Sequence, residues 1–205
     1  MIKQATRILI FGSVFASGIA AALTVDQSQE DTTVLRSSLT PGQGLLQSFL
    51  PTQGNVAGGG FYFGRVDTAT TNVKIAVWNG LPGSGGVEMA SSTVNLSATG
   101  WLDAFWTPVT VTPGDFYFLF ATVATNAVSV APAISSDDGI NSYANGSPYS
   151  FNGSSTNDLG LGNFDYAFRT YYDDTVAPVP LPAAAWLMLS GLAGLGAIGR
   201  RRKAA

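Results

Sequence analysis

The sequence predicts an all-β protein whose body, residues 23–175, is an antiparallel β-sandwich. Three observations indicate this fold class. Runs of β-branched and aromatic residues alternate at short spacing with clusters of Gly, Pro, Asn and Asp. No stretch of the body shows the roughly 3.6-residue period of an amphipathic helix. Long uncharged apolar segments occur only near the two ends of the chain, and both have the features of targeting segments.

Nine short strands are predicted in the body, a number that suits a sandwich of two sheets. In the stretch 72–78, Val and Ile at alternate positions share one face, whereas Lys74, Ala76 and Trp78 share the other. In the stretch 116–123 both faces are apolar, which predicts a central strand. The predicted strands cover residues 33–38, 45–50, 55–63, 73–78, 87–96, 101–112, 116–125, 128–134 and 164–172.

The predicted connections have matching turn chemistry. Residues 79–86 form a long glycine-rich connection, and Pro113 with Gly114 marks a tight turn. Residues 135–162 are rich in Ser, Asn, Asp and Gly and are predicted to be a loop. Such a region either carries the binding loops of a sandwich or is loosely ordered.

The first 22 residues have the pattern of a secretory signal peptide. Lys3 and Arg7 precede an apolar, small-residue stretch that closes with three alanines. We expect signal peptidase to cleave after Ala22, with Ala20 and Ala22 at the A-x-A positions. The alternative is an uncleaved N-terminal membrane helix. Both interpretations export the body.

Near the other end, residues 183–199 carry no charge and predict a short transmembrane helix. A helix of that length spans roughly 25 Å, against a hydrocarbon core of about 30 Å. Four glycines weaken it further. A buried helix of a soluble domain is the alternative, but the cations that follow make a poor core element. By the positive-inside bias this basic tail stays cytoplasmic, and it comprises Arg200, Arg201, Arg202 and Lys203.

Charge and composition exclude several classes of function for the body. The targeting segments hold six of the ten basic residues, leaving four against all thirteen acidic residues and a net charge of −9. This surface disfavours binding to nucleic acid or anionic lipid, which require clustered Lys and Arg. The chain has no cysteine, so the domain relies on packing rather than on disulfides.

The composition also argues against an enzyme, and we predict no catalytic residues and no cofactor. The chain has no histidine, which excludes Ser-His-Asp catalysis and His-ligated metals. Lys74, the only lysine outside the targeting segments, is predicted to be solvated and so a poor base. A carboxylate pair could hydrolyse glycosides, but Glu30 and Glu88 have no identifiable partner.

The C-terminal segment, residues 176–205, resembles the PEP-CTERM class of bacterial sorting signals in its VPLPA-CTERM variant. The three parts of that signal are a proline-containing motif, a transmembrane helix and an arginine-rich end, and all occur here in order. The resemblance implies export by a Gram-negative bacterium that makes exopolysaccharide. It also implies processing near the motif by an exosortase, a membrane transpeptidase-like enzyme, and delivery to the cell surface or extracellular matrix. The motif residues are Val179, Pro180, Leu181, Pro182 and Ala183.

The body resembles jelly-roll modules of bacterial surface proteins, which are similar to carbohydrate-binding modules. The resemblance is carried by residues 47–64, 73–86, 100–120 and 164–172. It implies a jelly-roll-like sandwich, and such modules often hold a structural calcium. The acidic pairs 137–138 and 173–174 are the candidates, but their spacing identifies no calcium loop, and we predict no metal site.

Aromatic residues are the candidate ligand contacts, because sugars bind to ring faces together with a few polar groups. We predict Trp78 and Tyr143 as glycan contacts, with Trp78 first because it lies on the more polar face of its strand and adjoins a turn. The alternative for every ring is the sandwich core. The rings considered are Tyr62, Trp78, Trp101, Trp106, Tyr143 and Tyr149.

Three functions remain open at this point. The first is an exported structural or adhesive component of the exopolysaccharide or biofilm layer. The second is a carbohydrate-binding module with a defined glycan ligand. The third is a protein that simply stays anchored in the membrane by its C-terminal helix. The first is the prediction that the targeting segments favour.

Overall fold

The computed structural model of the chain describes residues 23–32, 34–35, 39–66, 71–123, 130–134, 143–159 and 164–175. Within these ranges the protein is all-β and forms two antiparallel sheets. This confirms the predicted all-β class with antiparallel sheets. No helix in the described ranges is long and apolar enough to cross a membrane. The predicted signal peptide, residues 1–22, and the predicted sorting segment, residues 176–205, lie outside the described residues.

The described residues form twelve strands, arranged in two six-stranded sheets. In chain order they are β1 (Leu23–Gln29), β2 (Val34–Leu35), β3 (Gly44–Phe49), β4 (Asn55–Val66), β5 (Thr71–Trp78), β6 (Glu88–Leu96), β7 (Gly100–Thr110), β8 (Tyr117–Val123), β9 (Val130–Ile134), β10 (Pro148–Phe151), β11 (Thr156–Asp158) and β12 (Phe168–Asp173). The first sheet has the order β1-β12-β4-β9-β2, and β7 pairs with the other edge of β4. The second sheet has the order β11-β10-β3-β8-β5-β6.

The core lies between the two sheets and follows the two-residue alternation of the strands. Val73, Ile75 and Val77 of β5 are fully buried, as the alternation predicted. Phe61 and Phe63 enter the same core from β4 in the first sheet. Because one cluster draws its side chains from both sheets, the sheets pack face to face as a sandwich.

Three strands were not predicted, and each is formed by pairing rather than by local pattern. β1 is polar in sequence and lies at the edge of the first sheet, where it pairs antiparallel with β12. β10 and β11 lie inside the predicted loop 135–162 and form a hairpin against β3. Their short runs, four and three residues, give too weak a local signal to predict. Of the predicted strand 164–172, only the part from Phe168 is in β12.

The first described strand begins, and the last described strand ends, at the same end of the sandwich. Leu23, the first residue of β1, is paired with Asp173, the last residue of β12. The turn 51–54 lies at this same end, because Asn55, which follows it, donates its side-chain amide to the Asp173 carbonyl over 3.0 Å. The turn 111–116 lies beside it, since the Gly114 amide donates to the Pro51 carbonyl over 3.1 Å. We call this the proximal end. The turn 97–99 between β6 and β7 lies at the opposite, distal end.

Candidate functional site

The outer face of the second sheet carries a group of five aromatic side chains. Trp78 lies on β5, Phe118 and Phe120 lie on β8, and Tyr149 and Phe151 lie on β10. Their rings meet edge to face: the centroid distances are 6.1 Å for Trp78–Phe120 and 5.7 Å for both Phe118–Tyr149 and Phe120–Phe151. These five residues form the outer aromatic cluster, on the face of the sheet that turns away from the core.

The strand register explains why the rings gather there. Phe120 has Leu46 opposite it on β3 and Ala76 opposite it on β5, and both side chains are fully buried beneath the rings. Gly44 supplies the remaining space, because a Cβ atom at this position would collide with the ring of Phe120. The small side chain of Ala76 and the missing side chain of Gly44 therefore leave room for large rings from three strands to meet.

The glycine-rich loop 79–87 reaches the edge of this face. The Thr156 hydroxyl on β11 donates to the Pro82 carbonyl over 2.7 Å. A Cβ atom at Gly83 would lie 2.6 Å from the Ser154 carbonyl oxygen, and Gly83 has a φ of 79°. Since β3 and β8 separate β5 from β10, the loop passes over the outer face to make these contacts. It covers part of the outer aromatic cluster and leaves Trp78 half-buried.

Beside the cluster is a cavity of about 330 Å³. This volume is at the lower end of the range for small-molecule sites, roughly 300–1,000 Å³. Phe116 stands at its edge with 56% of its surface exposed. The cavity is lined by Ser48, Phe116, Phe118, Ala144, Gly146, Ser147 and Tyr149.

One side of the cavity is formed by a rigid backbone contact. Ser48 and Ser147 exchange hydrogen bonds: the Ser48 amide donates to the Ser147 carbonyl over 2.9 Å, and the Ser147 amide donates to the Ser48 hydroxyl over 2.7 Å. Gly146 lies so close to the Ser48 carbonyl that any Cβ atom would collide with it. This side of the cavity is therefore formed before any ligand arrives.

Tyr149 combines a ring with a neutral hydroxyl at this site. Burial raises the pKa of its phenol, and the nearby negative charge of Asp158 raises that pKa further. Hydrogen bonds with Ser48 and Ser147 act in the opposite direction on the same pKa. The hydroxyl therefore stays protonated at physiological pH, and it is both a donor and an acceptor.

The structure places the two predicted glycan contacts in different environments. Trp78 belongs to the outer aromatic cluster, and its partner in register is Phe118, which lines the cavity. Its indole Nε1 is shielded from solvent and has no hydrogen-bond partner among the described residues. Trp78 therefore does not line the cavity itself. It adjoins the cavity through Phe118, which lies opposite it on the neighbouring strand.

Tyr143 lies in the core with 7% of its surface exposed. Its hydroxyl donates to Gln27 Oε1 over 2.9 Å and accepts the Leu50 amide over 3.2 Å. Its ring packs edge to face on Phe168 at 5.0 Å. Burial is the main cause that raises its pKa to about 12. Tyr143 therefore occupies a core position, which is the alternative to ligand contact for every ring.

The other rings lie elsewhere. Trp106 donates its Nε1 hydrogen to the Val56 carbonyl over 3.1 Å and packs on the core. Tyr62 and Trp101 are neighbours on the outer face of the first sheet, with centroids 5.7 Å apart. The Arg169 guanidinium lies 4.2 Å above the Trp101 ring and is ion-paired with Asp103. The cation occupies a ring face that a sugar would need.

Two ion pairs are formed among the described residues, Lys74–Glu88 and Arg169–Asp103. Lys74 Nζ lies 2.7 Å from Glu88 Oε2, and both side chains are about one-third exposed. Asp173 accepts the Thr175 amide over 2.8 Å, as a turn-forming Asp does. No group of three or more His, Cys, Asp or Glu within the described ranges could hold a metal ion. The pair 137–138 lies outside those ranges.

Phe116, Phe118, Ser48 and Ser147 were missed as site residues. The available signal was the continuous run of apolar and aromatic residues at 116–120, which we interpreted only as a central strand. Comparisons of the chain with protein-family models, curated proteins and solved structures find no match. The site is therefore interpreted from its own geometry.

Proposed function

We propose that the protein is an exported adhesive component of the bacterial envelope and its exopolysaccharide layer, and that it binds glycans at the cavity between Phe116, Phe118 and Tyr149. The observation that carries the proposal is the cavity itself. Aromatic walls and neutral hydroxyl groups meet there on the outer face of a sheet. Sugars present the same combination, with apolar C–H faces and hydroxyl rims.

The charge of the body narrows the class of glycan. With a net charge of −9, the exported domain repels polyanionic chains at long range. Among the described residues no cation lines the cavity to offset this repulsion, since the described lining is aromatic, small or hydroxyl-bearing. We therefore propose neutral polysaccharides as the ligand class.

The proposal keeps the predicted export route. Signal peptidase removes residues 1–22, and the segment 183–199 with its basic tail holds the chain in the inner membrane. An exosortase then acts near the motif 179–183 and delivers the body to the surface or matrix. The tripartite pattern of the C-terminal segment supports this route.

Binding is tested with Phe116→Ala and a matched control, Phe105→Ala. Both side chains are about half exposed, but Phe105 lies on the first sheet, away from the cavity. We expect Phe116→Ala to weaken retention on immobilised neutral polysaccharides about tenfold, a loss of roughly 1.4 kcal/mol. Affinity electrophoresis of the exported protein measures this loss.

The control variant should bind like the unmodified protein. Trp78→Ala should weaken binding as well, through loss of support for Phe118, with the fold checked by circular dichroism. Equal losses in the Phe116 and Phe105 variants would contradict the proposed site. No retention of the unmodified protein across a broad panel of neutral glycans would leave only a structural role in the layer.

Processing is tested by intact-mass analysis of the cell-associated and released forms. We expect the released form to lack everything C-terminal to the region of Val179–Ala183. A cell-associated form that always retains Arg200–Arg202, with no released form, would instead favour permanent anchoring. The same measurement shows whether the mature chain begins at Leu23.

A further inference from the structure

The large apolar side chains that are exposed are not scattered over the described surface. Each lies in the half of the sandwich nearer the proximal end, as the strand register shows. Phe105, for example, is paired with Gly58, near the start of β4, and Leu159 donates its amide to Pro148 at the start of β10. The set comprises Leu23, Val25, Val87, Phe105, Phe116 and Leu159.

Three of these residues lie at the proximal end itself. Leu23 begins β1, Phe116 follows the turn that precedes β8, and Val87 ends the glycine-rich loop. Their exposed fractions are 37%, 56% and 59%. Val87 is held in place because its amide donates to Asn79 Oδ1 over 2.8 Å. Exposed apolar side chains from both sheets at one end of a domain can insert into the interfacial region of a bilayer.

The chain beyond the described residues indicates what lies opposite this end. β12 ends at Asp173, and the predicted membrane segment begins at residue 183. The eight steps from Thr175 to residue 183 span at most about 28 Å when fully extended. While the sorting segment is in the membrane, the end of β12 therefore stays within about 28 Å of the bilayer.

Charge determines which lipid surface fits. The proximal end carries the carboxylates of Asp115, Asp173 and Asp174, and the body as a whole is acidic. An anionic surface would repel this end, whereas a zwitterionic surface accepts apolar side chains without that cost.

We infer that the proximal end, through Leu23, Val87 and Phe116, docks on a zwitterionic phospholipid surface as long as the sorting segment remains attached. The inference rests on the proposed function, because it needs the C-terminal segment to span the membrane. Docking also covers Phe116, at the edge of the glycan cavity. The anchored protein thus holds its binding site against the lipid, and removal of the tail frees it.

Site-specific labelling tests the docking, and the absence of native cysteine makes single-cysteine variants clean. Phe116→Cys places a polarity-sensitive fluorophore at the proximal end. Thr99→Cys places the same fluorophore on an exposed turn at the distal end. Each variant, with its sorting segment, is reconstituted into phosphatidylcholine vesicles that contain brominated phosphatidylcholine. Circular dichroism confirms the fold of both.

We expect brominated lipid to quench the fluorophore at position 116 at least twofold more than at position 99. Adding Val87→Glu should reduce the difference. Equal quenching at both positions in vesicle-bound protein would overturn the docking and leave the proposed anchor intact. Failure of the unlabelled chain to float with the vesicles would instead overturn the anchor, and with it the docking.

Discussion

Buried polar side chains connect the two sheets through a small number of specific bonds. Gln47 on β3 is fully buried, donates to Asp165 Oδ1 over 2.9 Å and accepts the Tyr166 amide over 3.0 Å. Asp165 also accepts the Tyr143 amide over 2.9 Å. Hydrogen bonds buried in a core are costly to break, because each lost bond leaves a polar atom without a partner where water cannot reach it. This network determines that Tyr143 is a core residue.

The perturbed tyrosines predict loss of stability at alkaline pH. The pKa of Tyr143 is raised to about 12, and the pKa values of Tyr149 and Tyr171 are also raised. The unfolded chain, with phenols near the ordinary value of about 10, releases these protons first. The contribution of these phenols to the free energy of unfolding is therefore fully present below a pH of about 10. It is lost as the pH rises towards 12.

Urea unfolding monitored by circular dichroism between pH 9 and 12 measures this loss. In Tyr143→Phe the free energy of unfolding should fall less over this pH range, by up to about 2 kcal/mol, because the variant lacks one phenol with a raised pKa. The variant should also be less stable at neutral pH by about 1 kcal/mol, since the Leu50 amide and Gln27 lose a partner. An unchanged pH profile would contradict the role of this burial.

At the level of elements, the glycine-rich loop 79–87 links β5 to the β10–β11 hairpin. The loop is long but is held against the hairpin, because Pro82 is buried and its carbonyl accepts a hydrogen bond from the Thr156 hydroxyl. Gly83 meets the hairpin backbone, while Gly85, two residues later, has open space around it. Both have positive φ, 79° and 91°. The loop therefore contacts the hairpin at Gly83, whereas Gly85 only allows the backbone of the loop to turn.

Gly83→Ala and Gly85→Ala form a matched pair that tests this docking. Both substitutions strain a positive-φ backbone by about 1 kcal/mol. Only Gly83→Ala also pushes a methyl group against Ser154, so it should be the more destabilising by at least about 1 kcal/mol. It should also increase acrylamide quenching of tryptophan fluorescence, because Trp78 becomes exposed. Equal effects of the two variants would show that the loop is not held at Gly83.

At the level of the whole molecule, the first and last described strands are neighbours. Leu23 and Asp173 pair at the proximal end, so the chain enters and leaves the described sandwich at the same end. The first sheet is complete only when β1 has paired with β12. Folding of the first sheet thus requires residues from both ends of the range 23–173.

This arrangement predicts that processing changes glycan binding. The released protein should bind immobilised neutral polysaccharide at least threefold more tightly than the same chain with its sorting segment in phosphatidylcholine vesicles, because Phe116 is covered in the latter. Sedimentation binding with equal protein concentrations measures the ratio. Equal affinities of the two forms would show that docking leaves the cavity open.

Several features of the fold follow from local pattern. The alternation in 72–78 predicts which face of β5 enters the core, and Val73, Ile75 and Val77 are buried accordingly. The position of the tight turn at Pro113 and Gly114 also follows from turn chemistry. Strand β1 and the hairpin β10–β11 could not be predicted, because their pairing partners are distant in the chain.

The sequence by itself determined the all-β class, the acidic charge of the body and the absence of thiol and imidazole chemistry, because these depend on residue type and short-range periodicity. Only the tertiary structure decided that Tyr143 is a core residue while Tyr149 lines a cavity. The two tyrosines lie in one polar, turn-rich stretch and look equivalent there. Their roles differ because Tyr149 is paired with Leu46 on an outer face, whereas Tyr143 packs on Phe168. Such long-range pairings form only when the sheets assemble.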